Sequence, residues 1–296
     1  MFKSGFVNIV GLPNSGKSSL VNAFIGQKLS IVSPKPQTTR QRILSILTTE
    51  DYQMIFSDSP GWIKDSHYTM HKLMNQEVAR QKIGADVILI VIDISKRELL
   101  PDNLLSIVAK AIVPKILVLN KIDLVPKTEI LPFIEQAKEQ LEYSQIYPVS
   151  ALNEIGLAEL LSGILTVLPE HPAYFDNDES SDRSVRFFIG EFIREQIYFL
   201  YQEEIPYSCF VDIESVDGID EQKELVRIRA KIYVNKKSQV PILIGKHGSL
   251  IKELGIRSRA RIESFLDQRI FLDLSIKLKK DWRNNEAYLI KTGIVS

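Results

Sequence analysis

The chain has 296 residues, of which 45% are apolar and 25% charged, with 37 basic side chains against 37 acidic ones. That length predicts about two domains, and that composition excludes a disordered, collagen-like or low-complexity protein. Taken as an average, a formal net charge of zero argues against nucleic acid as a ligand.

In chain order, residues 6–10, 52–56, 86–93, 115–120 and 145–149 read as strands buried on both faces, rich in Val and Ile and bounded by turn residues. Residues 43–48 read as a further strand. Between these runs, 17–26, 68–83, 100–111, 129–142 and 157–168 carry helical spacing. Strand and helix in alternation predict a mostly parallel sheet covered on both sides by right-handed crossovers, with ligands at the carboxyl ends of the strands. The apolar run at 87–92 is far shorter than the ~20 residues that cross a bilayer. The strand at 6–10 begins too early to leave room for a signal or transit peptide. Cys209, the single cysteine, forms no intrachain disulfide and reads as a small buried residue in a reducing compartment. A cytoplasmic location is the expectation.

Residues 169–182 open with two prolines and continue acidic and polar, which reads as a linker. The chain therefore divides into a first domain at 1–170, a linker at 171–183 and a second domain at 184–296. The second predicts a helix at 184–203, strands at 208–215 and 225–234, one or two helices within 239–267, a strand at 271–278 and a helix from 285. That order, α-β-β-α-α-β-α, describes a compact α+β domain.

The first strand runs into Gly11-Leu12-Pro13-Asn14-Ser15-Gly16-Lys17-Ser18, which matches G-x-x-x-x-G-K-[ST] at every fixed position. Glycines let backbone amides curl around a β-phosphate, Lys17 reaches the β and γ oxygens, and the Ser18 hydroxyl suits magnesium. The following helix points its positive end at the same anion. After the third strand comes Asp58-Ser59-Pro60-Gly61, where the carboxylate suits magnesium and the Gly61 amide suits the γ-phosphate. Asn120-Lys121-Ile122-Asp123 ends another strand. The Asp123 carboxylate matches the ring N–H and exocyclic amine of guanine, a donor pair that adenine lacks. Asn120 braces the loop, and the Lys121 stem lies over the base plane. Ser150-Ala151-Leu152 follows the last strand and offers a backbone amide to the guanine carbonyl. His67 and His71 stand four residues apart without a third zinc ligand and read as a solvent-facing helix.

Four such motifs in order, each at a strand end, resemble the translation-factor-related GTPases. That resemblance implies a P-loop GTPase domain binding GTP with Mg²⁺. In the family a threonine of the first switch completes the magnesium shell; of Thr38 and Thr39 in Gln37-Thr38-Thr39-Arg40, Thr39 is favoured. The implied metal set is Ser18, Thr39 and Asp58, and the implied catalytic set is Lys17, Thr39, Gly61 and Asn14. Relatives with Asn at the position of Asn14 hold potassium there, which makes K⁺ a candidate second ion. A Ras-like enzyme carries a water-orienting glutamine after the glycine, where this chain has Trp62. Hydrolysis is therefore expected to be slow unless the first-switch backbone, a bound cation or a partner places the water. The alternative is a non-catalytic RNA-binding module that nucleotide only stabilises.

In the second domain, Ile244-Gly245-Lys246-His247-Gly248 forms a G-x-x-G turn, preceded by an apolar stretch and followed by Leu250, Ile251 and Leu254 at helical spacing. This resembles the K-homology fold of the bacterial type, called type II, whose turn clamps the backbone of about four unstacked nucleotides. From Lys223 to Arg261 there are 11 basic residues against 2 acidic ones, a density suited to phosphate. Lys252, Arg229 and Lys231 join the turn as candidate RNA contacts. The zero net charge conceals a first part, 1–182, of net −4 and a second, 183–296, of net +4.

A GTPase with these motifs joined to a C-terminal K-homology domain resembles the Era family. The resemblance implies single-stranded small-subunit ribosomal RNA near its 3′ end as partner, a role in 30S subunit maturation, peripheral contact with the inner membrane, a monomer, and no DNA. His247 departs from the glycine common among relatives, and Trp62 from the more usual leucine.

Overall fold

The computed structural model describes residues 1–33, 35–80, 84–140, 142–219 and 224–293. Pro34, Lys223, the end of the helix predicted at 68–83 and Leu141 in the one predicted at 129–142 lie outside the described residues. Two compact units are present, one containing Met1–His67 and His71–Asp182, the other Arg183–Thr292.

The first unit holds six strands, β1 (Lys3–Val10), β2 (Ile43–Thr48), β3 (Tyr52–Asp58), β4 (Val87–Asp93), β5 (Lys115–Asn120) and β6 (Gln145–Val149), ordered β2-β3-β1-β4-β5-β6. All pairings are parallel except β2 with β3. Helices α1 (Lys17–Ile25), α2 (Thr69–Arg80), α3 (Asp102–Ala109), α4 (Lys127–Gln140) and α5 (Leu157–Val167) follow β1, β3, β4, β5 and β6. Because strand side chains alternate between faces, β4 feeds two cores. Val87, Leu89 and Val91 meet Leu20 and Phe24 of α1 and Leu160 and Ile164 of α5. Ile88, Ile90 and Ile92 meet Leu104 and Val108 of α3 and Phe133 of α4. Every residue of β4 is buried, hence its unbroken apolar run; each such side chain stabilises the fold by about 1.5–3 kcal/mol. β1 lies between β3 and β4, so the direction of sheet building reverses at β1 and a crevice opens at its carboxyl end.

The stretch read as a linker is held along the sheet edge. Ile46 N–H donates to the Ser180 carbonyl (3.0 Å), the Ser181 hydroxyl to the Leu44 carbonyl (2.6 Å) and Leu44 N–H to the Asp182 carboxylate (2.9 Å). The Gln53 side chain accepts from the Tyr174 and Phe175 amides and donates to the Phe175 carbonyl. An edge strand offers an unpaired row of backbone groups, and this polar segment occupies that of β2. Composition marks it as irregular but carries no sign of the partner.

The second unit comprises α6 (Val185–Leu200), α7 (Ile205–Ser208), β7 (Cys209–Asp217), β8 (Val226–Val234), α8 (Gln239–Ile244), α9 (Ser249–Leu266), β9 (Ile270–Leu278) and α10 (Glu286–Lys291). Its sheet runs β7-β8-β9, with β7 antiparallel and β9 parallel to β8. α6 packs on β7 and α9 on β9. Along β8, Val226, Ile228, Ala230, Ile232 and Val234 are buried while Arg227 and Arg229 point out. The helix predicted to 203 stops at Leu200, and the short α7, which starts with Pro206 in its first turn, is an element the periodicity did not reveal. Glycines at 245 and 248 divide 239–267 into α8 and α9.

Candidate functional site

The strand ends of the first unit converge on a cavity of about 600 Å³. Pro13, Asn14, Gly16, Lys17 and Ser18 after β1, Gly61 after β3, Asn120, Lys121 and Asp123 after β5, and Ala151 and Leu152 after β6 all line it, as do Thr38 and Thr39. Gly11, Leu12, Ser15, Asp58, Ser59, Pro60, Trp62, Ile122 and Ser150 do not line it.

Asn120 is the joint between three loops. Its amide donates to the Ser15 carbonyl (2.9 Å), and its oxygen accepts from the Lys121 (2.9 Å) and Ala151 (3.0 Å) amides. Gly16 adopts φ 94°, and a Cβ there would fall on the Asn120 amide nitrogen. Both backbone freedom and close approach therefore demand glycine at that place. Ser59 donates to the Ile9 carbonyl (3.2 Å) and Ser150 pairs with Ile155.

Lys17 is 6% exposed and donates to the Gly11 (3.2 Å) and Leu12 (2.9 Å) carbonyls. Burial lowers its pKa to about 8, opposed by the Asp58 charge. Asp58 is fully buried, and neither carboxylate oxygen has a hydrogen-bond partner within bonding distance among the described residues. Burial raises its pKa above the usual carboxylate range, with Ser18, Lys17 and Ser30 pulling the other way. The Ser18 and Thr39 hydroxyls stand 2.9 Å apart. One buried carboxylate with unsatisfied oxygens beside two hydroxyls is a donor set that fits a hard cation such as Mg²⁺.

Gly61 runs so close to the loop after β1 that a Cβ would lie 2.6 Å from the Pro13 nitrogen, and the Trp62 amide donates to the Gly11 carbonyl (3.3 Å). The Trp62 indole packs against the β4/α3 hydrophobic cluster, away from the cavity wall. His71 corrects the sequence reading: it is buried, and its Nε2 lies 3.1 Å from the Gln37 side-chain oxygen, whereas His67 is exposed. Nothing in helical spacing distinguishes a histidine on the covered side from one on the wet side when the covering segment is itself irregular.

Asp93, at the end of β4, escaped the motif search. It is 6% exposed, pairs in register with Asn120 and accepts from the Lys121 ammonium (2.6 Å). A carboxylate at the end of a buried strand was the available signal.

In the second unit, Gly245 (φ 71°), His247 (φ 52°) and Gly248 (φ 77°) all take left-handed backbone conformations. Lys246 and His247 are exposed. A Cβ on Gly245 would lie 2.7 Å from Leu250 Cγ, whereas one on Gly248 meets nothing within 4 Å. Beside the turn, α9 and the free edge of β9 border a groove of about 540 Å³ lined by Ile251, Lys252, Ile256, Arg259, Phe271 and Leu274. Ile256 and Phe271 are more than half exposed, an unusual placement for large apolar groups that suits flat, apolar base faces. Of the three apolar residues after the turn, Ile251 lines the groove and Leu254 is core.

Arg229 and Lys231 are not brought to this groove. They project from the outward face of β8 toward acids of β7, Arg229 toward Asp217 (3.9 Å) and Lys231 in contact with Glu214. The charge run misleads here because the acids that take up these charges stand on β7, across β8 from the β9 edge. On α9, Arg257 pairs with Glu253 (2.6 Å), and Arg261 lies over the Phe192 ring (4.0 Å).

Residues 6–121 match the family described as 50S ribosome-binding GTPase, and residues 204–283 match the KH domain. Over 293 residues the chain is 41% identical to the GTPase Era of Carboxydothermus hydrogenoformans, covering 99% of this chain and 98% of that one. The chain belongs to the Era family of GTPases. The GTPase Era of Syntrophus aciditrophicus is 39% identical over 295 residues, with 99% and 95% covered. A crystal structure of Era in complex with MgGDPNP and nucleotides 1506–1542 of 16S ribosomal RNA matches with a TM-score of 0.93 at 35% identity, covering 100% of both chains. As an Era-family protein the chain is a hydrolase acting on GTP, built from a P-loop GTPase domain and a C-terminal KH domain.

Proposed function

We propose that this Era-family GTPase binds single-stranded small-subunit ribosomal RNA near its 3′ end through the groove beside 245–248, and that it assists 30S subunit maturation. The observation that carries this reading is the likeness to Era in complex with MgGDPNP and 16S RNA nucleotides, which extends over the whole chain, pocket and groove alike. In-cell crosslinking with sequencing of the bound RNA, comparing wild type with a Gly245→Asp, Gly248→Asp variant, tests it. Crosslinks concentrated at the 3′ end and lost in the variant are expected; crosslinks elsewhere overturn the reading.

In the pocket, the amides of the loop after β1 cradle the β-phosphate while Lys17 neutralises charge on the β and γ oxygens. Ser18, Thr39 and Asp58 would hold Mg²⁺, whose positive charge would offset the negative charge that develops on the phosphates. The Gly61 amide faces the γ-phosphate, and Asp123 reads guanine. In hydrolysis the water oxygen bonds to the γ-phosphorus as the bond to the β–γ bridging oxygen breaks, leaving GDP and phosphate. An indole turned into the hydrophobic cluster orients no water, so unassisted turnover is slow. The water is placed by the first-switch backbone, by a partner, or by a potassium ion at Asn14, which lines the cavity. Faster hydrolysis in KCl than in NaCl, lost in Asn14→Ala, is the expected result for potassium; equal rates exclude that route.

The resemblance further supports a monomer, located in the cytoplasm with a peripheral inner-membrane fraction. Among the described residues no helix is long and apolar enough to cross a membrane. Light scattering and a salt-wash fractionation test these two points.

A further inference from the structure

We infer that Asp93 is a positioning residue for the guanine site: it pins the Lys121 ammonium and so holds the lysine stem across the face where the base lies. This rests on the reading that residues 120–123 receive guanine. β4 and β5 are parallel neighbours whose last residues, Asp93 and Asn120, are register partners, so the end of β4 sits beside the base-reading loop. One Asp93 oxygen accepts from the Lys121 ammonium at 2.6 Å. The other accepts from the Ser95 amide (3.1 Å) and hydroxyl (2.5 Å), closing the turn that follows β4. The carboxylate is thereby fixed before it meets the lysine. It is 5% exposed against 29% for the Lys121 side chain, and both residues line the cavity.

A lysine stem has four rotatable bonds, and holding it in one place costs rotamer freedom. The ion pair meets that cost in advance, leaving an ordered apolar surface on which a purine can rest. It also consumes the lysine's charge, so Lys121 contributes contact area rather than attraction for phosphate. Lys121 itself takes a left-handed backbone, φ 68°, which fixes the direction in which its stem departs.

The test is a double-mutant cycle read by release of a fluorescent N-methylanthraniloyl-GDP from the full-length protein. Asp93→Asn keeps the acceptor for Ser95 and removes the charge; about tenfold faster release is expected, with KM for GTP rising more than kcat falls. Asp93→Glu should restore slow release. In a Lys121→Met background, which keeps the apolar stem, Asp93→Asn should change release less than twofold. Unchanged release in Asp93→Asn, or an effect that persists in full beside Lys121→Met, overturns the inference. Asp123→Asn separates the underlying reading, because an amide complements the donor and acceptor of xanthine and should move preference from GDP to XDP. Retention of guanine preference in that variant overturns the base assignment itself, whereas a shift to XDP with no Asp93 effect overturns only the role of Asp93.

Discussion

Both units of this protein present glycines in left-handed conformations beside a lysine, yet they expose them in opposite ways. In the first, Gly16 is pressed against Asn120 and Lys17 is buried. In the second, Gly248 faces open space and Lys246 is exposed. The difference follows from what each must do to phosphate. Phosphoryl transfer profits from a dry, low-dielectric surround in which a fixed charge acts strongly. A chain of nucleotides has to be admitted along its length, which requires an open groove and charges that remain hydrated until contact.

The largest expected effect comes from forcing a side chain into the closed turn. Gly16→Val should weaken nucleotide binding by at least ~100-fold, since left-handed strain and the clash with Asn120 act together, while affinity for a 3′-terminal 16S RNA fragment stays within twofold. Fluorescent-GDP titration and RNA filter binding on the same preparation check both; a parallel loss of RNA binding would break the contrast.

Next come the glycines of the open turn. Gly245→Asp and Gly248→Asp should each lower RNA affinity about tenfold or more by placing a carboxylate beside the RNA backbone. Gly245→Asp should also lower the melting temperature more than Gly248→Asp, because positive-φ strain applies to both but only the Gly245 Cβ meets Leu250. Equal melting shifts in the two variants would contradict the packing difference.

Burial makes Lys17 sensitive to pH in a way that an exposed lysine is not. With its pKa lowered from 10.5 to about 8, the folded nucleotide-free protein binds fewer protons than the unfolded chain between these values. The Lys17 contribution to stability therefore rises with pH across that window. Nucleotide affinity should move the other way and fall above about pH 8, where a proton must be taken up on binding. Calorimetry in buffers of different ionisation enthalpy measures that uptake; its absence at pH 9 would show that Lys17 is not the titrating group.

The smallest effect is expected from the outward, β7-facing side of the KH sheet. Arg229→Ala and Lys231→Ala should change RNA affinity less than twofold, because both face acids of β7 away from the groove. A tenfold loss in either would move the RNA path onto that face.

The nucleotide site was readable from residues because its chemistry is local: loops at strand ends, each with a fixed spacing set by the backbone geometry around phosphate and base. The choice of Thr39 came from the family resemblance, and its hydroxyl stands 2.9 Å from that of Ser18. Asp93 did not, because its partner lies 28 residues away and only the register of β4 against β5 brings them together. The buried His71 and the held segment at 180–182 were hidden for the same reason, since each contact joins a regular element to an irregular stretch whose path no periodicity records.

In the KH unit the sequence determined the element order apart from the short α7, the turn, and the total charge of that half. What tertiary structure decided was which charges act together. Arg229 and Lys231 of β8 are taken up by acids of the neighbouring β7, while the approach of α9 to the β9 edge assembles Ile256, Arg259 and Phe271 on the other side of the sheet's central strand. The sequence by itself therefore specified two phosphate-binding turns and the chemistry each can perform. Their surroundings, one sealed and one open, arise from packing between segments distant in the chain, and burial is what turns the same glycine-and-lysine chemistry into either a nucleotide pocket or an RNA groove.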